Sequence, residues 1–207
     1  MSEILLLDKK MNVKGLHDLC YAVITKDDES GTTYGPVKRV QGVQTTSYVP
    51  QSNAVKSYGD NGTYCTVTTG NDADLEIGLN EIPDAMQVDW FGHSLDANGA
   101  LVENKNDTPN EIAVGYKATK TNGADRMVWN YKCTPSLPEE QQETEKGSEV
   151  TIQTRKIKLT ASPRASDGQK RAVLDSDMEG LAASVVANWT KAVYEKATTK
   201  TEDTPQG

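Results

Sequence analysis

Apolar and polar residues alternate without a break from Ala73 to Leu79: Ala73, Leu75, Ile77 and Leu79 on one side, Asp74, Glu76 and Gly78 on the other. A period of two with one apolar face predicts a half-buried strand. At Glu81 the period lengthens, and Ile82, Ala85, Met86 and Trp90 fall on one helical face. Pro83 suits a first helical turn, where its missing N–H costs little, and Gly92 stands where a left-handed cap would end the helix. The pattern predicts a strand feeding a short helix at about 81–92 that plugs one opening of a β-sandwich or barrel.

Elsewhere the chain reads as strands until near its end. Leu19 to Thr25 is apolar on both parities, as a buried central strand should be. The segment 26–35 is a solvated turn, and Val37 to Gln44 is extended. Residues 44–64 are rich in Ser, Asn, Gly and Thr, and read either as a flexible loop or as a long hairpin whose tip leaves the body of the domain. Asp60-Asn61-Gly62 supplies turn chemistry for the second reading. Asp96-Ala97-Asn98-Gly99 predicts another turn, with a short extended piece from Ala100 to Glu103.

Ile112, Val114, Tyr116 and Ala118 alternate, as do Met127, Trp129, Tyr131 and Cys133. With Asn122-Gly123 between them they predict an antiparallel hairpin. Residues 138–148 form a polar surface loop. Val150 and Ile152 share one parity, Ile157 and Leu159 the other, which predicts a bulge near Thr154 to Lys156. A turn at Asp167-Gly168 precedes a last strand at 170–174. Ser176-Asp177-Met178-Glu179 has the form of a capping box. The stripe Met178, Leu181, Val185, Trp189 and Val193 extends it into a predicted C-terminal helix at about 177–195. The organisation expected is an arm at 1–14, one domain at 15–195 and a disordered tail at 196–207.

The net charge of −8 argues against sequence-independent binding of nucleic acid, which needs phosphate-neutralising cations. Arg155, Lys156 and Lys158 read as a solvated strand face. MSEILLLDKK has four consecutive apolar residues and no cleavage pattern, and no stretch reaches the apolar length of a membrane-spanning helix, so neither signal peptide nor membrane anchorage is expected. Cys20, Cys65 and Cys133 are odd in number and widely spaced, which points to no disulfide framework. His17 and His93 have no Cys-x-x-Cys or comparable spacing near them, so no metal site is expected. His93, just past Gly92, stands where a histidine interacts with a helix dipole. Asp27, Asp28 and Glu29 lack EF-hand spacing, and no glycine-rich phosphate loop is present. No catalytic residue and no cofactor are expected. The chain reads as a non-enzymatic assembly, adhesion or ligand-binding module.

Several stretches taken together resemble the major tail proteins of long-tailed, non-contractile bacteriophages, which build the tail tube. They are GLHDLCYAVIT at Gly15, YGPVKRVQGVQTTSYVPQSNAVKSYGDNG at Tyr34, ADLEIGLNEIPDAMQVDWFGH at Ala73, the run from Asp96 to Glu140, and ASVVANWTKAVYE at Ala183. Each is weak alone; their order and spacing carry the likeness from about Gly15 to Glu195. The resemblance implies a mainly β fold, an antiparallel β-sandwich or barrel of the tail-tube type, whose copies form hexameric rings stacked into a hollow tube. DNA passes through that tube, unbound, during ejection into the host. It also implies tape-measure, tail-tip and tail-terminator proteins as partners, assembly in the bacterial cytoplasm and residence in the virion tail. On this reading Tyr48, Val49, Pro50, Gln51, Ser52, Asn53, Val55, Tyr58 and Asp60 are candidates for contact with the neighbouring ring. Asp74 and Glu76 are candidates for facing the lumen or a neighbouring subunit. The alternatives are the tube protein of a contractile secretion machine and a secreted adhesion or carbohydrate-binding sandwich. Aromatic residues make up only 6% of the chain, few for a sugar-binding groove.

Overall fold

The computed structural model describes residues 12–59, 62–70, 72–139 and 154–196. Its strands are β1 (Val13–Asp28), β2 (Gly31–Tyr34), β3 (Lys38–Arg39), β4 (Val43–Pro50), β5 (Asn53–Gly59), β6 (Gly62–Thr69) and β7 (Ala73–Leu79). They continue after helix α1 (Asp84–Phe91) with β8 (Ser94–Leu95), β9 (Leu101–Val102), β10 (Ile112–Lys120), β11 (Asp125–Pro135), β12 (Arg155–Ala161) and β13 (Arg171–Asp175), and helix α2 (Ala183–Asn188) closes the series. A nine-stranded antiparallel sheet runs β2-β1-β10-β11-β12-β7-β4. β3 lies beside β1, and β13 beside β11. The sheet forks at β11, whose one edge pairs with β13 from Arg126 to Asn130 and with β12 from Cys133 to Pro135.

The fork folds the sheet over a core. Ala73, Leu75, Ile77 and Leu79 of β7, with Ile157, Leu159 and Ala161 of β12, meet Leu19, Tyr21, Ile112, Val114 and Val128 from β1, β10 and β11. Met86, Trp90 and Phe91 seat α1 on this core, Trp90 packing edge-on to Tyr21 with ring centroids 5.6 Å apart. The expected strand and plug helix are both present. The helix starts later than expected, at Asp84, because Pro83 is extended (ψ 144°), and Ala85 faces solvent rather than the core. Gly92 takes the left-handed conformation (φ 77°). A Cβ there would stand 2.7 Å from the Thr108 carbonyl oxygen. Carbonyls at the end of the helix are satisfied from outside, Trp90 O by the Asn110 N–H and Asp89 O by Asn110 Nδ2, at 2.9 Å each.

A second core lies on the opposite face of β1, β10 and β11. Cys20, Ala113, Met127, Trp129 and Tyr131 are covered there by Trp189 of the C-terminal segment, with Tyr34, Val185, Val193 and Tyr194 around them. Double-sided burial explains why LCYA is apolar throughout. Gly115 sits opposite Trp129, and a Cβ at that position would lie 2.7 Å from the ring, so glycine is what lets the indole lie across β10.

Two bulges set which residues face which core, and neither shows as a break in the sequence pattern. In β1 the register shifts between His17 and Cys20, with Asp18 at φ 55°. Leu16 before the bulge and Leu19 after it therefore face the same core despite opposite parity. In β11 the register shifts opposite Ile112 and Val114, and Cys133 turns into the first core whereas Met127, Trp129 and Tyr131 face the second. The single face expected for those four residues is thus split. From Arg155 to Ala161, β12 runs in unbroken register with β7. Val150 and Ile152 lie outside the described residues, as do most of the arm, the polar loop and the tail.

The C-terminal helix is much shorter than expected. Ser176 does not cap it; its Oγ accepts the Asp125 N–H at 2.8 Å, tying the end of β13 to β11. The chain turns at Gly180 (φ 77°), Met178 is exposed, and only Ala183–Asn188 is helical. The stripe reflects residues packing on a sheet, Trp189 above all, rather than five helical turns. The predicted loop at 44–64 also resolves differently. Its first part is β4 of the main sheet, and the rest enters a hairpin in which β5 and β6 pair from Asn53↔Thr69 to Gly59↔Gly62. The hairpin alternative is the one realised.

Candidate assembly surfaces

The hairpin β5–β6 forms a two-stranded sheet of its own. Its base is pinched: a Cβ on Gly70 would lie 2.3 Å from the Gln51 carbonyl oxygen, and Gln51 N–H donates to Asp72 O at 2.9 Å. It therefore leaves the body through two adjacent strands of chain. An isolated two-stranded hairpin is marginal in water, so one held away from the parent sheet gains by packing on something else.

The nine candidate contact residues divide accordingly. Tyr48, Val49 and Pro50 belong to β4 and pair with Leu75, Asp74 and Ala73 of β7. Alternation turns Tyr48 inward, where Arg171 stacks 4.2 Å from its ring centroid, so Tyr48 supports the core. Val49 points outward and is exposed. Gln51 and Ser52 link β4 to the hairpin, Asn53, Val55 and Tyr58 lie on β5, and Asp60 is outside the described residues.

β4 is an edge. Among the described residues it pairs with β7 alone, and its eight residues, VQTTSYVP, carry no charge. Long uncharged edges are what monomeric proteins avoid. On the outward face beside it the register places three rows across β4, β7 and β12: Val49–Asp74–Thr160, Ser47–Glu76–Lys158 and Thr45–Gly78–Lys156. Asp74 and Glu76 both lie on this face. Asp74 accepts a hydrogen bond from Gln51 Nε2, and Glu76 stands 3.1 Å from Lys156 Nζ. The face carries an acidic column beside a basic one; the pairing was not legible until the register joined Lys156 and Lys158 to β7.

Two buried charge clusters fasten the loop after β12 and the C-terminal segment. Arg164, 4% exposed, grips Asp167 (2.6 and 3.1 Å) and Glu195 (2.6 and 3.0 Å), donates to Tyr34 Oη and lies 4.3 Å over the Tyr131 ring. Nothing in the local sequence marked it. Asp27, taken with its neighbours as an acidic run, instead holds Lys132 Nζ (2.9 Å), Thr32 Oγ1 (2.8 Å) and the Ala165 N–H (3.0 Å).

Burial alone would raise the Asp27 carboxyl, but the Ala165 N–H, Lys132 and Thr32 hold it at about 2. Asp175 is held at about 2, first by the Arg126 fork and then, against burial, by Lys120. Both lie below the ~3.9 of an unfolded aspartate. Their contribution is therefore present above that value and lost as pH falls through the folded value. Linkage gives about 2.6 kcal/mol for a fully buried group with such a shift, less for the partly exposed Asp175. Urea unfolding between pH 5 and pH 2 is expected to lose roughly 2–4 kcal/mol from the two. Asp27→Asn should be less stable at pH 5 and flatter across that range; an unchanged slope contradicts the assignment.

Cys20, Cys133 and both histidines are engaged in the fold. Burial pushes the Cys20 thiol up to about 12, and Cys133 is raised further by the same cause. His93 is buried, its Nδ1 2.9 Å from Asp107 Oδ2, with Glu103 3.7 Å from Nε2. His17 pairs with Asp18 and Asp125. No group of three or more His, Cys, Asp or Glu converges as a metal site among the described residues. No helix there is long and apolar enough to cross a membrane.

No protein-family model matches the chain, and no curated protein matches it. Among solved structures it is similar to the anti-feeding prophage cap (AFP tube terminating cap), determined by cryo-EM. The TM-score is 0.47 and the identity 8%, over 84% of this chain and 99% of that one.

Proposed function

We propose that the chain is a structural subunit that polymerises as rings stacked into a phage tail tube. One observation carries the reading: a long, uncharged edge, β4, which among the described residues is open, runs directly into a hairpin that among those residues pairs only with itself. In a monomer both are liabilities. In a ring-former the edge continues a sheet into the next copy, and the hairpin reaches a copy in the adjacent ring. Ring contacts close; stacking contacts stay open and extend a filament. The order of tail-protein-like stretches in the sequence supports the same reading, and the hexameric ring, the tape-measure, tip and terminator partners and DNA passage follow from it. An overall acidic subunit suits a conduit that DNA must leave without sticking. Asp74 and Glu76 neighbour Lys156 and Lys158, so on this reading their face serves subunit contact better than a repulsive lumen wall. Negative-stain microscopy of the purified chain at rising concentration is the test, with rings or tubes expected.

A further inference from the structure

Past β13 the chain runs off the sheet, and no residue at 176–196 belongs to a strand. The point of departure is pinned. Ser176 Oγ accepts the Asp125 N–H, and the Asp177 carboxylate accepts from Lys120 Nζ at 2.7 Å and from Asn122 Nδ2 at 2.8 Å. Just beyond the pin comes a loose turn. Its two hydrogen bonds are at the long end of the usual range, Met178 N–H to Asp175 O at 3.2 Å and Leu181 N–H to Met178 O at 3.3 Å. Met178 is exposed, and Gly180 is left-handed with open space where a Cβ would stand.

The segment after Gly180 covers the second core but buries little of itself. Trp189 is its one buried residue between positions 181 and 196, and α2 contributes none. A hollow of about 220 Å³ runs along it, lined by Val185, Trp189, Ala192 and Tyr194 among others, so its packing is looser than that of an interior. Among the described residues, its backbone–backbone hydrogen bonds from 183 onward close within the segment, as Val185 N–H to Ala182 O and Ala192 N–H to Asn188 O do.

Two points hold it to the body. At Trp189 the carbonyl accepts the Trp129 indole N–H at 2.9 Å, and the Trp189 indole N–H reaches Val128 O at 3.4 Å. At the far end Glu195 accepts from Arg164 Nη1 and Nη2 at 2.6 and 3.0 Å. The Glu195 side chain is 55% exposed, whereas Arg164 is buried and held from the body side by Asp167 and Tyr34.

We infer that residues 181–195 form a hinged strap, which swings open as one unit about the Gly180 turn while the sheet and the first core stay folded, with the Glu195–Arg164 contact as its latch. Opening gives up the Trp189 seat and the latch but breaks no ladder of the sheet, so it costs less than unfolding the domain. It uncovers Ala113, Met127 and Trp129 together. Once released, a helix as short as α2 does not persist, so the amides bonded within the strap become exchangeable with each opening.

Native-state hydrogen exchange of the full chain in dilute solution, followed by NMR, is the test. The amides of Val185, Trp189, Lys191 and Ala192 are expected to share one protection factor, about a hundredfold or more below those of β10 and β11. Glu195→Gln should speed strap exchange roughly tenfold and leave β10 and β11 unchanged, because Arg164 keeps Asp167 and no buried charge is stranded. Strap amides as protected as those of β10 and β11 would mean that the segment opens only with the whole fold. A gradient of protection falling from Val185 to Ala192 would mean fraying from the end. Either result overturns the strap, and an unchanged strap rate in Glu195→Gln overturns the latch.

Discussion

Trp189→Ala is expected to cost about 3–5 kcal/mol of unfolding free energy, the range for emptying a large buried aromatic site. Trp189 is 1% exposed, and its carbonyl accepts the Trp129 indole N–H at 2.9 Å. The short helix beside it, α2, is only Ala183–Asn188 and has no side-chain cap, so it cannot hold its place alone. Losing the indole therefore loosens the segment and uncovers Met127, Trp129 and Ala113 together. For a domain of ordinary stability, 5–15 kcal/mol, that is a fifth or more of the total. Guanidinium unfolding would measure it, and limited proteolysis should cut the variant between 176 and 183 first. A cost below about 1 kcal/mol would mean that the segment is not part of the core.

Removing the hairpin should do the reverse. Replacing residues 53–69 by two or three glycines joins Ser52 to Gly70, whose neighbourhood already touches Gln51. Since among the described residues β5 and β6 pair only with each other, the parent sheet keeps its ladders, and stability should move by less than about 1 kcal/mol. Stacking, in contrast, should be lost. A cut that began at Val49 would instead damage β4. Size-exclusion chromatography with light scattering separates the outcomes: a folded variant stopping at single rings or monomers supports the hairpin as the inter-ring contact, and tubes of normal length refute it.

The elements most legible in the sequence were those whose two faces see different environments. β7 alternates because one face is core and one is solvent, and α1 announces itself where the period changes. The β10–β11 hairpin follows from two alternating runs and an Asn-Gly turn. What the pattern hid has a common cause. One inserted residue inverts every side chain after it, so the bulges at Asp18 and before Cys133 reassign faces without altering composition. At the C-terminus, Ser176 had two possible partners, its own turn or the Asp125 N–H, and the tertiary one won. The candidate assembly surfaces were least legible. Free edges, the charge columns across β7 and β12, and the Arg164 cluster exist only once strands far apart in sequence are side by side.

The most direct measurement is an electron micrograph of the purified wild-type chain at high concentration. The account predicts rings of uniform diameter and, with growth, hollow tubes in which one ring repeats along the axis. Monodisperse single subunits at every concentration, with the chain folded, would contradict it.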